Sequence, residues 1–554
     1  MSINLSPLDI TILVAYFAAI VGVGLWAGLK KKESTGSDSY FRAGGTLTWW
    51  VIGLALFSTN ISTIHLVGFA QEGYVNGLAH GNFEWMAPFT LIALSLFFAP
   101  FYLKSRIATL PDFLEKRYSR SCRDWLAFLS ILSAVMIHIV FCLYTGAVVL
   151  KGLFGIPINV SIILAAVVTG IYTVIGGLLA VVITGAMQSV ILLVGSIIIT
   201  IIAMNQVGGW SGLVANVEPV KLTVLRSASD PCNLPWYSVF LGYPVIGLWY
   251  WCADQTIVQR VLGAKDENHA RVGPLFCGFL KILPVFIFFL PGTAYYALVK
   301  MGKFAPLLDT KDCYARAIMD LLPAGLRGLM AAALLAALMS TVAGALNSIG
   351  TLFSYDLWKR WKPDTPDKKL VLIGKIATFA GMVIAILCAR MVERFETIYQ
   401  GANAVICYLA PPITVVFLFG VLWKKASTKG ALYTLGLGSL LGGVVFCLDF
   451  FSKNYCEWFN ATAPALANFE FLFKEGKWNV PFMMAAFYLF CIDAGIMIAF
   501  SIAKPHQHTE ESSKLVWNNP IDALRGNAWK GIGNYKFLSA ALFVTMVVLY
   551  IIFR

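Results

Sequence analysis

Long apolar runs alternate with short polar connectors along almost the whole chain. Runs of spanning length occupy 8–29, 49–71, 83–104, 124–153, 158–176, 178–206, 236–262, 272–299, 324–354, 370–391, 397–423, 429–450, 480–503 and 533–553. A bilayer's hydrocarbon layer is crossed by about 20 helical residues, so the pattern predicts an all-α polytopic membrane protein with about fourteen transmembrane helices. Lysine and arginine concentrate in alternate connectors: Lys30, Lys31, Lys32 and Arg42; Arg106, Lys116, Arg117, Arg120 and Arg123; Lys265 and Arg271; Lys359, Arg360, Lys362, Lys368 and Lys369; Lys424, Lys425 and Lys429. The positive-inside bias assigns these connectors to the cytoplasm. With an even number of spans, both termini then lie outside, as do 207–235, 300–323 and 451–479. The last carries an Asn460-Ala461-Thr462 sequon, relevant only in a host that glycosylates.

Two of these runs contain polar groups that lipid cannot satisfy. The first is Ser58-Thr59-Asn60-Ile61-Ser62-Thr63-Ile64-His65, and the second is Gly247-Leu248-Trp249-Tyr250-Trp251-Cys252-Ala253-Asp254-Gln255. Interrupted spans free backbone carbonyls for a cation and polar side chains for a solute. A helix-packing patch of small residues would account for the serines and threonines, but not for Asn60, His65 and the nearby Glu84, a carboxylate that needs a partner at such depth. The two interruptions lie about 190 residues apart, with five runs between 49 and 206 and five between 236 and 423. An odd number of spans per block makes the second block enter from the opposite side, which is the arithmetic of an inverted repeat with its site at the repeat interface. The expected organisation is therefore 1–48 (a first helix and cytoplasmic loop), 49–206 (repeat 1), 207–235 (outside loop), 236–423 (repeat 2) and 424–554 (three further helices, with a cytoplasmic connector at 504–535).

Composition narrows the class. In 554 residues, 58% are hydrophobic and 13% charged, which excludes a soluble enzyme on a membrane anchor. The net charge of +13 resides in connectors rather than in a basic stripe interleaved with aromatics, so nucleic acid is not the partner it implies. Eleven cysteines show no metal-ligand spacing; Cys232, Cys313 and Cys456 fall in expected outside loops, where a disulfide stays open as an alternative to free thiols. The six histidines are scattered, and His506 and His508 read as a solvated pair in the cytoplasmic connector. Gly176-Gly177 lacks the strand–turn–helix setting of a phosphate loop. No organic cofactor and no enzymatic activity are expected. The first apolar run has no basic segment ahead of it and is expected to remain as a helix.

Taken with the first polar stretch, Leu248-Trp249-Tyr250-Trp251-Cys252-Ala253-Asp254-Gln255-Thr256-Ile257-Val258-Gln259-Arg260 resembles the sodium:solute symporters, in particular the sodium/glucose cotransporter branch. Gly278-Phe279-Leu280-Lys281, Leu326-Arg327-Gly328-Leu329-Met330, Ala337-Leu338-Met339-Ser340-Thr341, Asn347-Ser348 with Asp356, Tyr408-Leu409-Ala410-Pro411-Pro412 and Trp423-Lys424-Lys425 extend the resemblance over about 10–430. It implies a LeuT-type 5+5 inverted repeat with one extra N-terminal helix and three extra C-terminal helices. It also implies sodium-driven import of a glucose- or galactose-like hexose by alternating access. Myo-inositol or another small polar solute remains an alternative, as does a non-transporting sugar sensor. The implied partners are sodium, a sugar or polyol and the lipid bilayer, at the plasma membrane or at the inner membrane of a bacterium; oligomeric state stays open.

Carried over by position, the resemblance implies sodium ligands from the Ser58, Ile61 and Ala337 carbonyls and the Ser340 and Thr341 hydroxyls. Oxygen ligands from an unwound turn suit a hard cation. Solute contacts fall on Asn60, His65, Glu84, Tyr250, Trp251, Lys281 and Asn403, with Tyr250 as inner gate and Phe69, Phe83 and Tyr399 closing the outer side. Hydroxyl-rich solutes require such paired donors and acceptors together with an aromatic face. Glu84 and Lys281 would offset each other's charge, and Trp249 reads as packing. Two departures stand out. Asn403 replaces the usual Gln, with Gln400 one turn earlier as a candidate to compensate. Thr184-Gly185 replaces a Thr-Asp pair, and Ala343 and Gly344 stand where further hydroxyls are usual, so one sodium per solute is expected.

Overall fold

Residues that cannot continue a helix shape the centre of this protein. The computed structural model describes residues 6–30, 47–105, 107, 109–232, 234–395, 397–462, 471–474, 477–505 and 508–554, which are mostly helical. The principal helices are α1 (Pro7–Lys30), α2 (Trp49–Asn60), α3 (Thr63–Val75), α4 (Ala79–Lys104), α5 (Arg120–Phe154), α6 (Ile158–Val207), α7 (Trp236–Leu248), α8 (Gln255–Leu262), α9 (Glu267–Lys300), α10 (Leu326–Trp361), α11 (Asp367–Cys388), α12 (Ile398–Leu422), α13 (Thr428–Phe450), α14 (Phe482–Ala503) and α15 (Tyr535–Ile552). Ten helices among the described residues are long and apolar enough to cross a membrane, and α2 with α3 makes a further span bent by 62°.

The connectors separate onto two faces. One gathers the cation-rich connectors: Arg123 pairs with Asp356 at 2.7 Å, Arg117 Nε donates to the Gly420 carbonyl at 2.7 Å, and Leu47 bridges to Ala264. The opposite face gathers the remainder. There the Asp9 carboxylate accepts from the Gly325 and Gly328 N–H groups at 2.7 and 2.8 Å, Lys300 pairs with Glu218 at 2.7 Å, and Val224 N–H donates to the Phe553 carbonyl at 2.9 Å. Both ends of the described chain therefore lie on the face away from the cationic connectors. Lys31, Lys32, Arg42, Arg106 and His506 fall outside the described residues.

The structure adds detail to several expectations. Where the sequence predicts two spans, 158–176 and 178–206, the structure assigns one helical run of 50 residues, Ile158–Val207. A straight helix of that length would part its ends by about 75 Å. Yet the start of the run packs on Ala147 and Ala389, and Lys303 Nζ donates to the Gln206 carbonyl near its end, at 2.5 Å. Both ends thus belong to one face. The expected outside loops hold short helices, Gly209–Asn216, Cys313–Leu321 and Ser452–Thr462, and a small hairpin pairing Phe473–Lys474 with Lys477–Trp478. Cys232, Cys313 and Cys456 are free thiols.

The 504–535 connector is folded onto the cationic face. His508, expected as solvated, has Nδ1 2.9 Å from the Arg117 guanidinium. Trp517 donates from its backbone to the Val421 carbonyl and from its indole to the Phe97 carbonyl, each at 3.0 Å. Further along, the Trp529 ring meets His269 edge-on at 4.8 Å.

Candidate functional site

The first break is fixed by a side chain that takes over a backbone hydrogen bond. Helix α2 stops at Asn60, and Ile61 and Ser62 adopt extended backbone, with ψ of 102° and 179°. In an unbroken helix the Ser62 N–H would close on the Ser58 carbonyl. Here it donates instead to His65 Nδ1 at 3.3 Å, and Ser62 Oγ lies 3.0 Å from the same nitrogen, so His65 caps α3. A ring nitrogen that accepts a backbone N–H carries no proton, which places the proton of neutral His65 on Nε2. Thr63 Oγ1 donates to the Leu334 carbonyl at 2.8 Å and ties α3 to α10.

The second break follows the same logic. Helix α7 runs on through a widened π turn at Trp249–Ala253 and ends at Asp254, whose backbone is extended (φ −83°, ψ 122°). Its carboxylate accepts from the Thr256 N–H at 2.7 Å and starts α8. The two interruptions meet where Asn60 Nδ2 donates to the Tyr250 hydroxyl at 3.0 Å.

A cavity of about 720 Å³, counting its mouth, opens around that contact. Of the expected solute residues, Asn60, His65, Glu84, Tyr250, Trp251 and Asn403 line its wall. Lys281 stands behind the wall. Its fully buried ammonium donates to Asn60 Oδ1 and to Glu84 Oε2, neutralising the carboxylate and fixing the carboxamide. With Asn60 Oδ1 held by Lys281 and Nδ2 by Tyr250, the 3.4 Å approach of Asn60 Nδ2 to His65 Nε2 joins two donors. The Nε2 proton is therefore left for an acceptor within the cavity. Tyr250, accepting from Asn60, keeps its own hydroxyl proton to donate. Asn403 Nδ2 donates to the Tyr399 carbonyl at 2.9 Å, leaving its oxygen as an acceptor.

Of the expected outer aromatics, Phe83 and Tyr399 line the cavity and meet edge-on at 5.3 Å. Phe69 is one layer out, edge-on to Tyr399 at 4.7 Å and stacked on Phe289 at 4.3 Å. All three rings are buried and pack on one another. Trp249 is buried and absent from the wall, and the half-buried Gln400 does not line it either.

Thr59 and Ser62 of the first polar stretch also line the cavity, as do Tyr243, His138, Ala402 and Ile406, which sequence reasoning missed. The signal for Tyr243 was its spacing, since Tyr243, Gly247 and Tyr250 fall at i, i+4 and i+7 on one helical face. His138 was visible as a lone imidazole in the middle of a span; its Nε2 lies 3.6 Å from Asp254.

The five expected sodium residues fall on two facing segments. Ser58 and Ile61 flank the first break, while Ala337, Ser340 and Thr341 lie on α10, beginning one turn after the Leu334 carbonyl that Thr63 holds. Thr341 lines the cavity beside Asn60 and Ser62. The Ser58 carbonyl is released by the break and is an oxygen it can offer, while its hydroxyl donates to the Ala55 carbonyl at 3.2 Å. Carbonyls and hydroxyls suit a hard monovalent ion. The Thr184 side chain lies outside the described residues, and neither Ala343 nor Gly344 contributes a side-chain oxygen.

Residues 40–438 match the sodium:solute symporter family. The sodium/myo-inositol cotransporter 2 of Oryctolagus cuniculus is 34% identical over 481 residues, covering 81% of this chain and 71% of that protein. The sodium/glucose cotransporter 4 of Danio rerio is 32% identical over 81% of this chain and 73% of its own length. The sodium/mannose cotransporter of Bos taurus is 32% identical over 93% of this chain and 89% of its own length. Among solved structures, a Na⁺-coupled sialic acid symporter in a substrate-bound, outward-open state superposes with a TM-score of 0.72 at 21% identity, covering 92% of this chain and all of that one. At that identity the likeness establishes the fold.

Proposed function

This chain belongs to the sodium:solute symporter family and is a sodium-coupled membrane transporter rather than an enzyme; we propose that its solute is a hexose of the glucose or galactose type, imported by alternating access. The observation that carries this reading is the meeting of two interrupted helices at Asn60 and Tyr250, inside a cavity that offers hydrogen-bonding groups on Asn60, His65, Glu84, Tyr250 and Asn403 beside the Trp251 ring. Lys281 acts from behind by orienting Asn60 and Glu84.

Myo-inositol is the second reading. Asn403 spends one amide N–H on the Tyr399 carbonyl of its own helix, leaving its oxygen and its other N–H for solute, one methylene short of where a Gln would reach. Relatives named for glucose, mannose and myo-inositol match at nearly equal identity, which keeps both readings in play.

The arrangement we propose is a LeuT-type 5+5 repeat, 49–206 and 236–423, with one added helix before it and three after. The cationic face is cytoplasmic and both termini lie outside, following the charge bias. Sodium bound by the Ser58, Ile61 and Ala337 carbonyls and the Ser340 and Thr341 hydroxyls favours the outward-open form and orders Asn60 and His65. Solute then draws Phe83 and Tyr399 closed, with Phe69 behind them. Loss of sodium inside releases the solute past Tyr250. One ion crossing about 100 mV down a tenfold gradient supplies about 2.3 and 1.4 kcal/mol, enough for roughly 500-fold accumulation, and two ions would square that.

Uptake of labelled sugars and polyols into proteoliposomes, with and without an inward sodium gradient, tests the reading. A hexose accumulated only with sodium is the expected result. Saturable binding with no sodium-dependent accumulation or counterflow would make the protein a sensor.

A further inference from the structure

Outside the solute wall, the buried carboxylate of Glu72 is unused by this scheme. Glu72, near the end of α3, is fully buried. One of its oxygens accepts from Asn76 Nδ2 at 2.7 Å and lies 2.9 Å from His80 Nδ1; the other accepts from the Thr397 hydroxyl. Each partner stands at the end of an element that reaches the cavity. Helix α3 carries His65 and Phe69, His80 precedes Phe83 and Glu84 on α4, and Thr397 is the cap residue of α12, which carries Tyr399 and Asn403.

The Thr397 oxygen accepts from the Gln400 N–H at 3.1 Å, so its single proton is committed to Glu72. The neighbouring Gln71 accepts from the Ile398 N–H at 3.3 Å, binding the same first turn of α12. Helices α3 and α12 approach closely at Gly68, where a Cβ would stand 3.0 Å from Tyr399 Cβ. The closed packing of Phe69 and Phe83 on Tyr399 therefore rests on a short polar contact just beyond it, toward the outer face.

We propose that Glu72 is the positioning residue that latches the outer side shut, by holding Thr397 at the head of α12 while His80 and Asn76 hold its other oxygen. The proposal rests on the alternating-access reading above. Opening the outer side requires α12 to leave α3, and that separates Thr397 from Glu72. A hydrogen bond to an ionised carboxylate is stronger than a neutral one, so the bond weights the cycle toward the outward-closed form. Sodium, which favours the outward-open form, must work against it. By linkage, weakening the latch then tightens apparent sodium binding from outside and slows the return steps.

The test uses the full-length protein with Thr397→Val, Glu72→Gln and the double variant. Glu72→Gln keeps the α12 cap and exchanges a charged acceptor for a neutral amide; Thr397→Ser keeps the hydroxyl and is the rescue control. In proteoliposomes each single variant is expected to lower the external sodium concentration for half-maximal uptake about three- to tenfold and to reduce maximal uptake. The double variant is expected to resemble Thr397→Val, because the two residues act through one bond, and Thr397→Ser to behave as the parent. Unchanged sodium dependence in both single variants, or effects that simply add as independent capping and packing losses would, overturns the latch. Amide exchange in purified protein supplies a readout that does not depend on the solute. Without sodium, 397–403 and 63–75 should exchange faster in the variants while 482–503 does not; a uniform rise across all three segments would overturn it. Absent sugar uptake with this local contrast intact would count against the solute reading alone.

Discussion

Lys281 has no solvent exposure, and its ammonium donates to one carboxamide oxygen and one carboxylate oxygen. Replacing it with Met keeps the apolar stem and removes both bonds. Breaking a buried ion pair from one side costs about 3–5 kcal/mol, because the remaining charge has no counterpart. Glu84 can escape part of that cost by taking up a proton, but it then presents a donor where the solute needs an acceptor. Asn60, no longer held at Oδ1, is free to flip its amide and so loses its fixed relation to Tyr250 and His65. Converted at about 1.4 kcal/mol per decade, the penalty corresponds to roughly two to three and a half orders of magnitude, shared between folding and solute affinity. Thermal unfolding in detergent and equilibrium binding of labelled sugar separate the two shares across K281M, E84Q and the double variant. The single Lys variant is expected to unfold at lower temperature and to lose measurable binding. The double variant, with no unpaired charge, is expected to regain most of the lost thermal stability while remaining unable to bind. Sugar affinity within about threefold of the parent in K281M, or a double variant no more stable than K281M, would refute the assignment.

Other perturbations read different parts of the molecule. Thr341→Ala should raise the sodium concentration for half-maximal uptake at least about tenfold, with sugar affinity at saturating sodium nearly unchanged, since one charge–dipole contact is worth about 1.5–3 kcal/mol; unchanged sodium dependence would remove Thr341 from the ion site. Asp9→Ala removes the acceptor for the Gly325 and Gly328 N–H groups at the head of α10, and the expected loss of about 1–3 kcal/mol should appear as a lower unfolding temperature in detergent. At Gly73 a Cβ would run into the Phe289 carbonyl, so Gly73→Ala should destabilise by about 1–3 kcal/mol through overpacking, read as reduced thermal stability before any change in sodium dependence. The ratio of charge moved to sugar taken up should be near one, and a ratio near two would overturn the single-sodium expectation.

What the sequence made legible follows from what each level of structure depends on. The spans and the division of their connectors between two faces are set by local composition, and they could be read directly. Both breaks could be read as well, because Asn60, Ser62 and His65 in one run, and Asp254 in the other, cannot be satisfied by lipid wherever the neighbours happen to be. Lys281 was expected to offset the charge of Glu84, as it does, while its bond to Asn60 and its place behind the cavity wall were not foreseen. Which of two layers a side chain occupies depends on the crossing of α2 with α9, and no local pattern encodes that. Tyr243 and His138 escaped for a related reason: an aromatic or imidazole facing a cavity has the same local signature as one facing another helix. The Glu72 contacts were equally hidden, since Thr397 lies 325 residues away.

With sodium and solute placed as proposed, the geometry around His65 gives a physical form to their coupling. The same ring does two things at once. Its Nδ1 takes the Ser62 N–H that would otherwise close on the Ser58 carbonyl, and its Nε2 proton is turned toward the cavity because Lys281 and Tyr250 already fix the Asn60 amide. A solute oxygen that accepts from Nε2 fixes the ring, and a fixed ring holds the break open and keeps the Ser58 carbonyl free for the proposed sodium site. Conversely, an ion drawing on that carbonyl disfavours closure of the Ser62–Ser58 bond and leaves Nδ1 as the remaining acceptor for Ser62. Because each occupant stabilises the backbone arrangement the other requires, each must tighten the other's binding by the same factor, with no rigid lever needed between sites that share one residue.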